Sequence, residues 1–148
     1  HSRRLQDSAA LRAQMRLAHG DLDGARQHIQ AVLVVEGYPF STKTAGLDEV
    51  LRAAAHIELQ AGDAAGAERL ASDALTVSSK IARTESSSAD VGLAALLRAK
   101  ALARLGRAAE AVANATRAAE ALHNGIGAGH PDTLEAESLL RTWREAGQ

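Results

Sequence analysis

Apolar side chains in this chain recur at intervals of three and four, and glycines interrupt the pattern at regular distances. Leu5, Ala9, Ala13 and Leu17 fall four apart and predict a helix over 3–19, with Arg3, Arg4, Arg12 and Arg16 mostly elsewhere on its surface. Gly20 ends it, and Asp21 or Asp23 caps a second helix that runs to about Val35 on Ala25, Ile29, Val32 and Leu33. A third helix over 47–61 carries Val50, Leu51, Ala54, Ala55 and Ile57, and a fourth over 64–81 carries Ala67, Leu70, Ala71, Ala74, Leu75 and Val77. The fifth, over 89–105, is opened by Ser88 or Asp90. It is apolar over much of its circumference (Val91, Leu93, Leu96, Leu97, Ala101, Leu102), so burial on more than one side is expected. The sixth, over 108–123, is built on Ala111, Ala115, Ala118 and Leu122. Asn124-Gly125 ends it, and residues 125–129 read as a flexible link. Pro131, at a first-turn position where its missing N–H costs nothing, opens a seventh helix over 131–146, with Leu134, Leu139, Leu140 and Trp143 on its buried face.

The breaks are of two kinds. Short glycine turns are expected at 20, 62, 106 and 147, giving intervals of 42, 44 and 41 residues. A fixed period of that size marks stacked helical hairpins. Longer breaks lie between hairpins. Residues 36–46 contain Gly37, Pro39, Ser41, Thr42 and Gly46, together with Tyr38 and Phe40, which either close the end of the core or stand out as a contact point. Residues 83–88, Arg-Thr-Glu-Ser-Ser-Ser, read as a surface loop.

Aligned on the turn glycines, the hairpins share further positions. Five residues after the glycine stand Ala25, Ala67 and Ala111; nine after it stand Ile29, Ala71 and Ala115; twelve after it stand Val32, Ala74 and Ala118. Seven before it stand Ala13, Ala55, Ala99 and Leu140. This resembles the tetratricopeptide repeat (TPR), in which a small residue marks the crossing of the first helix and Ala-x-x-x-Phe the second; Ala25-x-x-x-Ile29 is similar. The period exceeds the usual 34 or so residues and looks like the longer kinesin-light-chain-like and bacterial form. His130-Pro131-Asp132-Thr133-Leu134 is similar to the segment that often opens such repeats. Two features depart from the family. Arg16, Glu58 and Leu102 stand where an aromatic is favoured, only Trp143 keeping it, and the closing prolines are missing.

The resemblance implies an all-α fold: a right-handed α-solenoid of three helix-turn-helix repeats (about 3–36, 47–82 and 89–124) and a C-terminal helix, seven helices in one domain over 3–148. It also implies a scaffold that binds a peptide or protein segment on a concave face lined by the first helices. Some family members clamp a C-terminal carboxylate. The corresponding positions here read Ala10, Gln14, Ala53, Leu93 and Leu97, so that clamp is absent.

Composition narrows the function further. Apolar residues make up 46% and aromatics 2% of 148 residues, which fits tight alanine–leucine packing without a large ligand cavity. The net charge of −1 gives no reason to expect nucleic acid or an anionic membrane as partner. The chain has no cysteine, which excludes disulfides and thiolate metal sites and fits a cytoplasmic protein. No apolar run is long enough to span a bilayer and no secretory leader is visible. His1-Ser2 reads as a cloning scar.

Chemistry offers little. The histidines at 1, 19, 28, 56, 123 and 130 form no pair at helical spacing, and no metal or other cofactor is expected. Gly125-x-Gly127-x-Gly129 follows a helix, not a strand, so it is a linker rather than a nucleotide loop. Ser86-Ser87-Ser88 could accept phosphate, but a serine run is usually a plain loop. No nucleophile–base or carboxylate pair stands out, so no enzyme is read here. The expected inner face carries Gln14, Arg52, His56, Lys100, Arg104, Arg141 and Arg144, six of them basic or potentially basic, against Glu49, Glu58 and Glu137. Such a groove would attract an acidic peptide; the alternative is a solvated surface of scattered charge. Two further functional readings stand beside the scaffold. One is a regulatory region of a larger bacterial protein such as a Ser/Thr kinase or a transcriptional regulator. The other is homodimerisation through the last helix, if Leu139, Leu140 and Trp143 lack a covering helix.

Overall fold

The computed structural model describes residues 2–41 and 46–147, with side chains from residue 10 onward. Leu5, Ala9, Arg3, Arg4, His1-Ser2 and Thr42, which enter the expectations above, therefore lie wholly or by their side chains outside the described residues. Seven α-helices follow one another: α1 (Ser2–Ala18), α2 (Leu22–Val35), α3 (Leu47–Ala61), α4 (Ala64–Ile81), α5 (Ala89–Arg104), α6 (Ala108–Ile126) and α7 (Pro131–Ala146), with a 3-10 turn at Glu85–Ser87 between α4 and α5. No strand occurs among the described residues.

Each hairpin turns the same way. Gly20, Gly62 and Gly106 have φ of 81°, 86° and 77°, the left-handed region that favours glycine. The next residue donates its N–H six-to-one back to the helix: Asp21 to Arg16 O at 2.8 Å, Asp63 to Glu58 O at 2.9 Å, Arg107 to Leu102 O at 2.9 Å. The glycines donate to Leu17, Leu59 and Ala103 O, completing a Schellman motif at all three turns. Gly147 does not repeat it. Its φ is −83°, and its N–H continues the helical ladder to Trp143 O.

The second helices start in two ways. Asp21 and Asp63 each accept a hydrogen bond from a backbone N–H three residues on, at Gly24 and Gly66, both at 2.9 Å. A Cβ at Gly24 would lie 2.1 Å from Asp21 Oδ2, and one at Gly66 2.3 Å from Asp63 Oδ2. In the third hairpin Arg107 replaces the aspartate and cannot cap. The residue three on is then Glu110, which takes a forked ion pair from the Arg107 guanidinium. Capping carboxylate and glycine thus come and go together.

The aligned small positions form the core. Ala13, Ala55 and Ala99 are fully buried, as are Ala25 and Ala67, Ile29, Ala71 and Ala115, Ala74 and Ala118, with Ala111 at 1% exposure. Val32 is half-buried. The first helices pack on one another, α1 on α3 and α3 on α5, whereas α2 and α4, or α4 and α6, scarcely touch. The stack therefore curves toward the first-helix side and opens along the second-helix side. α5 packs against α3, α4, α6 and the 3-10 turn.

Three expectations change. α6 does not stop at Asn124-Gly125 but runs through Gly125 to Ile126. A Cβ at Gly125 would lie 2.8 Å from Ser87 O and 2.9 Å from Ala89 N, so this glycine serves a close approach to the 3-10 turn rather than a linker. Residues 83–88 lie on the surface, as expected, and are tied down there. Asn124 Nδ2 donates to Ser86 O, Arg117 binds Glu85 at 2.9 Å, and Ser88 Oγ caps α5 by accepting from Val91 N. Tyr38 and Phe40 part company. Tyr38 packs against the core and its hydroxyl donates to Asp73 of α4, with burial, then that bond, pushing the phenol up to about 12. Phe40 is 99% exposed.

The outer junctions between hairpins are held by charge. Arg26 of α2 forks onto Glu58 of α3 at 2.9 and 3.1 Å, with the Glu58 side chain 5% exposed. Arg98 of α5 donates to Glu68 of α4 at 3.1 Å, the polarity reversed. At the third junction Val112 and Trp143, equivalent by register to Arg26 and Glu58, pack instead on Ala99, Ala115 and Leu140. Leu140 is buried, and Leu139 and Trp143 are half-buried against the core, so α6 covers most of the face whose exposure would have favoured dimerisation; Leu134, expected on that buried face, is instead 52% exposed in the first turn of α7.

Two outcomes follow from these contacts. Gly24→Ala should destabilise the chain by about 1 kcal/mol, because the Asp21 cap must give way. In an Asp21→Ala background the same change should stabilise by a few tenths to about 1 kcal/mol, alanine being the better helix former; urea denaturation of the four proteins reads the reversal. Arg26→Ala, which strands the buried Glu58 carboxylate, should lower the urea midpoint clearly more than Glu58→Leu, which leaves Arg26 free to turn to water. Glu58→Leu should cost under about 1 kcal/mol. Equal losses would refute that asymmetry.

Candidate functional site

The inner, first-helix side carries a groove of about 490 Å³ bounded by α1, α3, α5 and the start of α7. Because α3, α5 and α7 are the first helices of successive units, their N-terminal turns line up along one edge. The floor is apolar. Ala53 and Leu96 are buried beneath it, while Leu93 and Leu97 are half-buried and offer side chain to solvent. Leu93 and Leu97 stand four apart on α5 and so share a face.

Of the seven residues expected on this face, the fold brings four together: Gln14, Arg52, His56 and Lys100. Arg104 turns away; its Nη1 donates to Leu59 O at 2.5 Å and so caps the end of α3. Arg141 and Arg144 are exposed on α7 and do not line the groove. The expected counter-charge Glu58 faces the opposite side, on Arg26, whereas Glu49 lines the groove.

The face is not predominantly basic, because its cations arrive with carboxylates. Arg52, its side chain 14% exposed, binds Asp48 Oδ2 at 2.9 Å and Asp90 Oδ1 at 3.4 Å. Asp48 in turn accepts from the buried Ser78 hydroxyl at 3.4 Å. Lys100 binds Glu135 at 2.9 Å. The lining holds Arg52, His56 and Lys100 against Glu49, Asp132 and Glu135. His56 is held below its ordinary pKa, first by burial and then by the Lys100 ammonium, with Glu135 opposing, so it is neutral at pH 7.

Of the acids expected to oppose the basic residues, Glu49, Glu58 and Glu137, only Glu49 lines the groove; Asp132 and Glu135 line it and Asp90 reaches Arg52, and none of these three was expected there. A signal existed, since Asp48, Glu49, Asp90 and Asp132 all occupy first turns of first helices, where the helix dipole favours acids. Among the described residues no group of three or more His, Asp or Glu could hold a metal, and no helix is long and apolar enough to cross a membrane.

Repeated Schellman turns, small-residue crossings and inward curvature define a TPR-like α-solenoid. Comparison with solved structures agrees. The crystal structure of the kinesin light chain nearly identical TPR-like repeats of Podosopora anserina superposes with a TM-score of 0.84 at 18% identity, covering 99% of this chain and 68% of that one. A variant of the same protein gives the same values. At that identity the likeness is one of fold. Residues 1–50 match a family described as a protein of unknown function, DUF2379. No curated protein matches the chain.

The unfolded chain binds a proton at His56 near its usual pKa of about 6.5, the folded chain only at lower pH. Stability should therefore fall as the pH drops through about 6.5 and level off below the folded value. His56→Gln should flatten this acid-side loss, read as the difference between wild-type and variant urea midpoints at pH 7.5 and 5.5. An unchanged difference would show that His56 is not the group responsible.

Proposed function

We propose that this chain is a protein-interaction module that holds an extended segment of another protein in the concave groove. One observation carries the reading: Leu93 and Leu97, half-buried and one helical turn apart, present apolar surface between polar walls on the concave side of the solenoid. Gln14 offers a side-chain amide at the rim, suited to the backbone of an extended chain. Arg52, fixed by two carboxylates, and neutral His56 form a rigid wall, which lowers the entropy lost on binding. If the chain is the regulatory region of a larger kinase or transcriptional regulator, the same groove is its recruiting arm.

Leu97→Glu places a charge on the groove floor without touching a fully buried position. It should leave the thermal midpoint within a few degrees of wild type and weaken capture of a groove-binding peptide by at least about tenfold. Peptide binding that survives Leu97→Glu and Leu93→Glu unchanged would move the site elsewhere.

A further inference from the structure

We infer that the open side of α1 is a docking surface for a further helical hairpin of the same repeat type, stacked ahead of it in one continuous array. The other first helices are each covered on that side. α3 lies against both helices of the hairpin before it, α1 and α2, and α5 lies against α3 and α4. Among the described residues α1 packs closely only on α2 and α3. Counted back from the turn glycines, Met15, Ile57 and Ala101 are equivalent at five before, and Leu11, Ala53 and Leu97 at nine before. Ile57 and Ala101 are fully buried and Ala53 nearly so, but Met15 is 52% and Leu11 61% exposed. Ala101 packs with Leu59 and Ala67 of the second hairpin, and Leu97 rests on the same cluster. Leu11 and Met15, one helical turn apart, thus hold on α1 the places by which α5 seats on the hairpin before it. The end of such an array is ordinarily polar outside. α7 largely follows that rule, with Leu134 its one large exposed apolar side chain. α1 does not.

The ion pairs follow the same register. At both charged junctions the residue six after the turn glycine reaches forward to the next first helix. Arg26 reaches Glu58, four before the next glycine, and Glu68 reaches Arg98, eight before it. On α1 both places are arginine, Arg16 and Arg12. Arg16 is held by a 3.5 Å contact to Asp21, with both side chains half exposed. The hairpin that fits therefore carries a carboxylate six after its turn glycine, beside the small residue at five. A second copy of this chain does not offer one. The corresponding side of its third hairpin is taken by α7, where Val112 packs in one cluster with Leu140 and Trp143.

Extending the full chain by one hairpin tests this. One extension places a copy of residues 2–46, carrying Arg26→Glu, directly ahead of residue 2; the helix pair it copies already receives α3, whose Ile57 is close in size to Met15. Another places residues 47–88 there, with Glu68 unchanged. Stacking should give one cooperative urea transition with its midpoint raised by about 1 M. Met15→Glu on the original α1 should remove most of that gain, yet shift the unextended chain by under about 0.3 M. The first extension with Arg26 retained should gain clearly less than with Arg26→Glu. If both added hairpins unfold apart from an unmoved parent transition, or Met15→Glu acts equally with and without the extension, the inference is overturned. An unextended chain that sediments as a dimer, and as a monomer after Met15→Glu, would overturn it in favour of a second copy. The groove reading does not depend on any of these outcomes.

Discussion

The structure depends on helices that can approach until their backbones nearly meet. Ala13, Ala55 and Ala99 on the first helices and Ala25, Ala67 and Ala111 on the second are buried at equivalent places in successive hairpins. Side chains this small contribute little burial each, on the order of one or two methylene groups. What they permit is many close backbone contacts at once, repeated without a gap. Gly92 shows the same demand at its limit: a Cβ there would lie 2.7 Å from Leu122 Cγ where α5 and α6 meet. A larger residue at such a point would separate two helices along their whole length.

Given that constraint, the turns set direction and the charges set register. Left-handed glycines return the chain at a fixed angle, so each hairpin presents the same faces to the next. Alanine stripes alone would allow one hairpin to slide on another. The Arg26–Glu58 and Glu68–Arg98 pairs, of opposite polarity, and the apolar Trp143 junction make each interface distinct. A hairpin placed at the wrong junction would meet a like charge or strand a buried one.

Much of this was legible in the sequence because it is local. Helical spacing, turn glycines and the aligned alanines report on neighbours within a few residues, and the helix bounds agree to within a residue or so except at the end of α6. What was illegible is long-range. Gly125 looks like a breaker until Ser87 and Ala89 are seen against it. Phe40 and Tyr38 share a loop, and only the reach to Asp73 separates their fates. At the groove, helical phase placed Gln14, Arg52, His56 and Lys100 on one face; Asp48 stands one turn before Arg52 on the same helix, but Asp90 and Glu135, which also engage the cations, come from other helices. Basic side chains read one helix at a time look available when they are already engaged.

The unequal packing of the two layers gives the stack a mechanical character. The inner helices α1, α3 and α5 touch in succession, while α2, α4 and α6 meet one another scarcely at all and pack instead on the next inner helix, so bending has most room between the outer helices. The solenoid is in effect a hinge chain with soft outer gaps. A small change in curvature would be taken up in those gaps, with the Arg26–Glu58 and Arg98–Glu68 pairs among the first contacts to feel it.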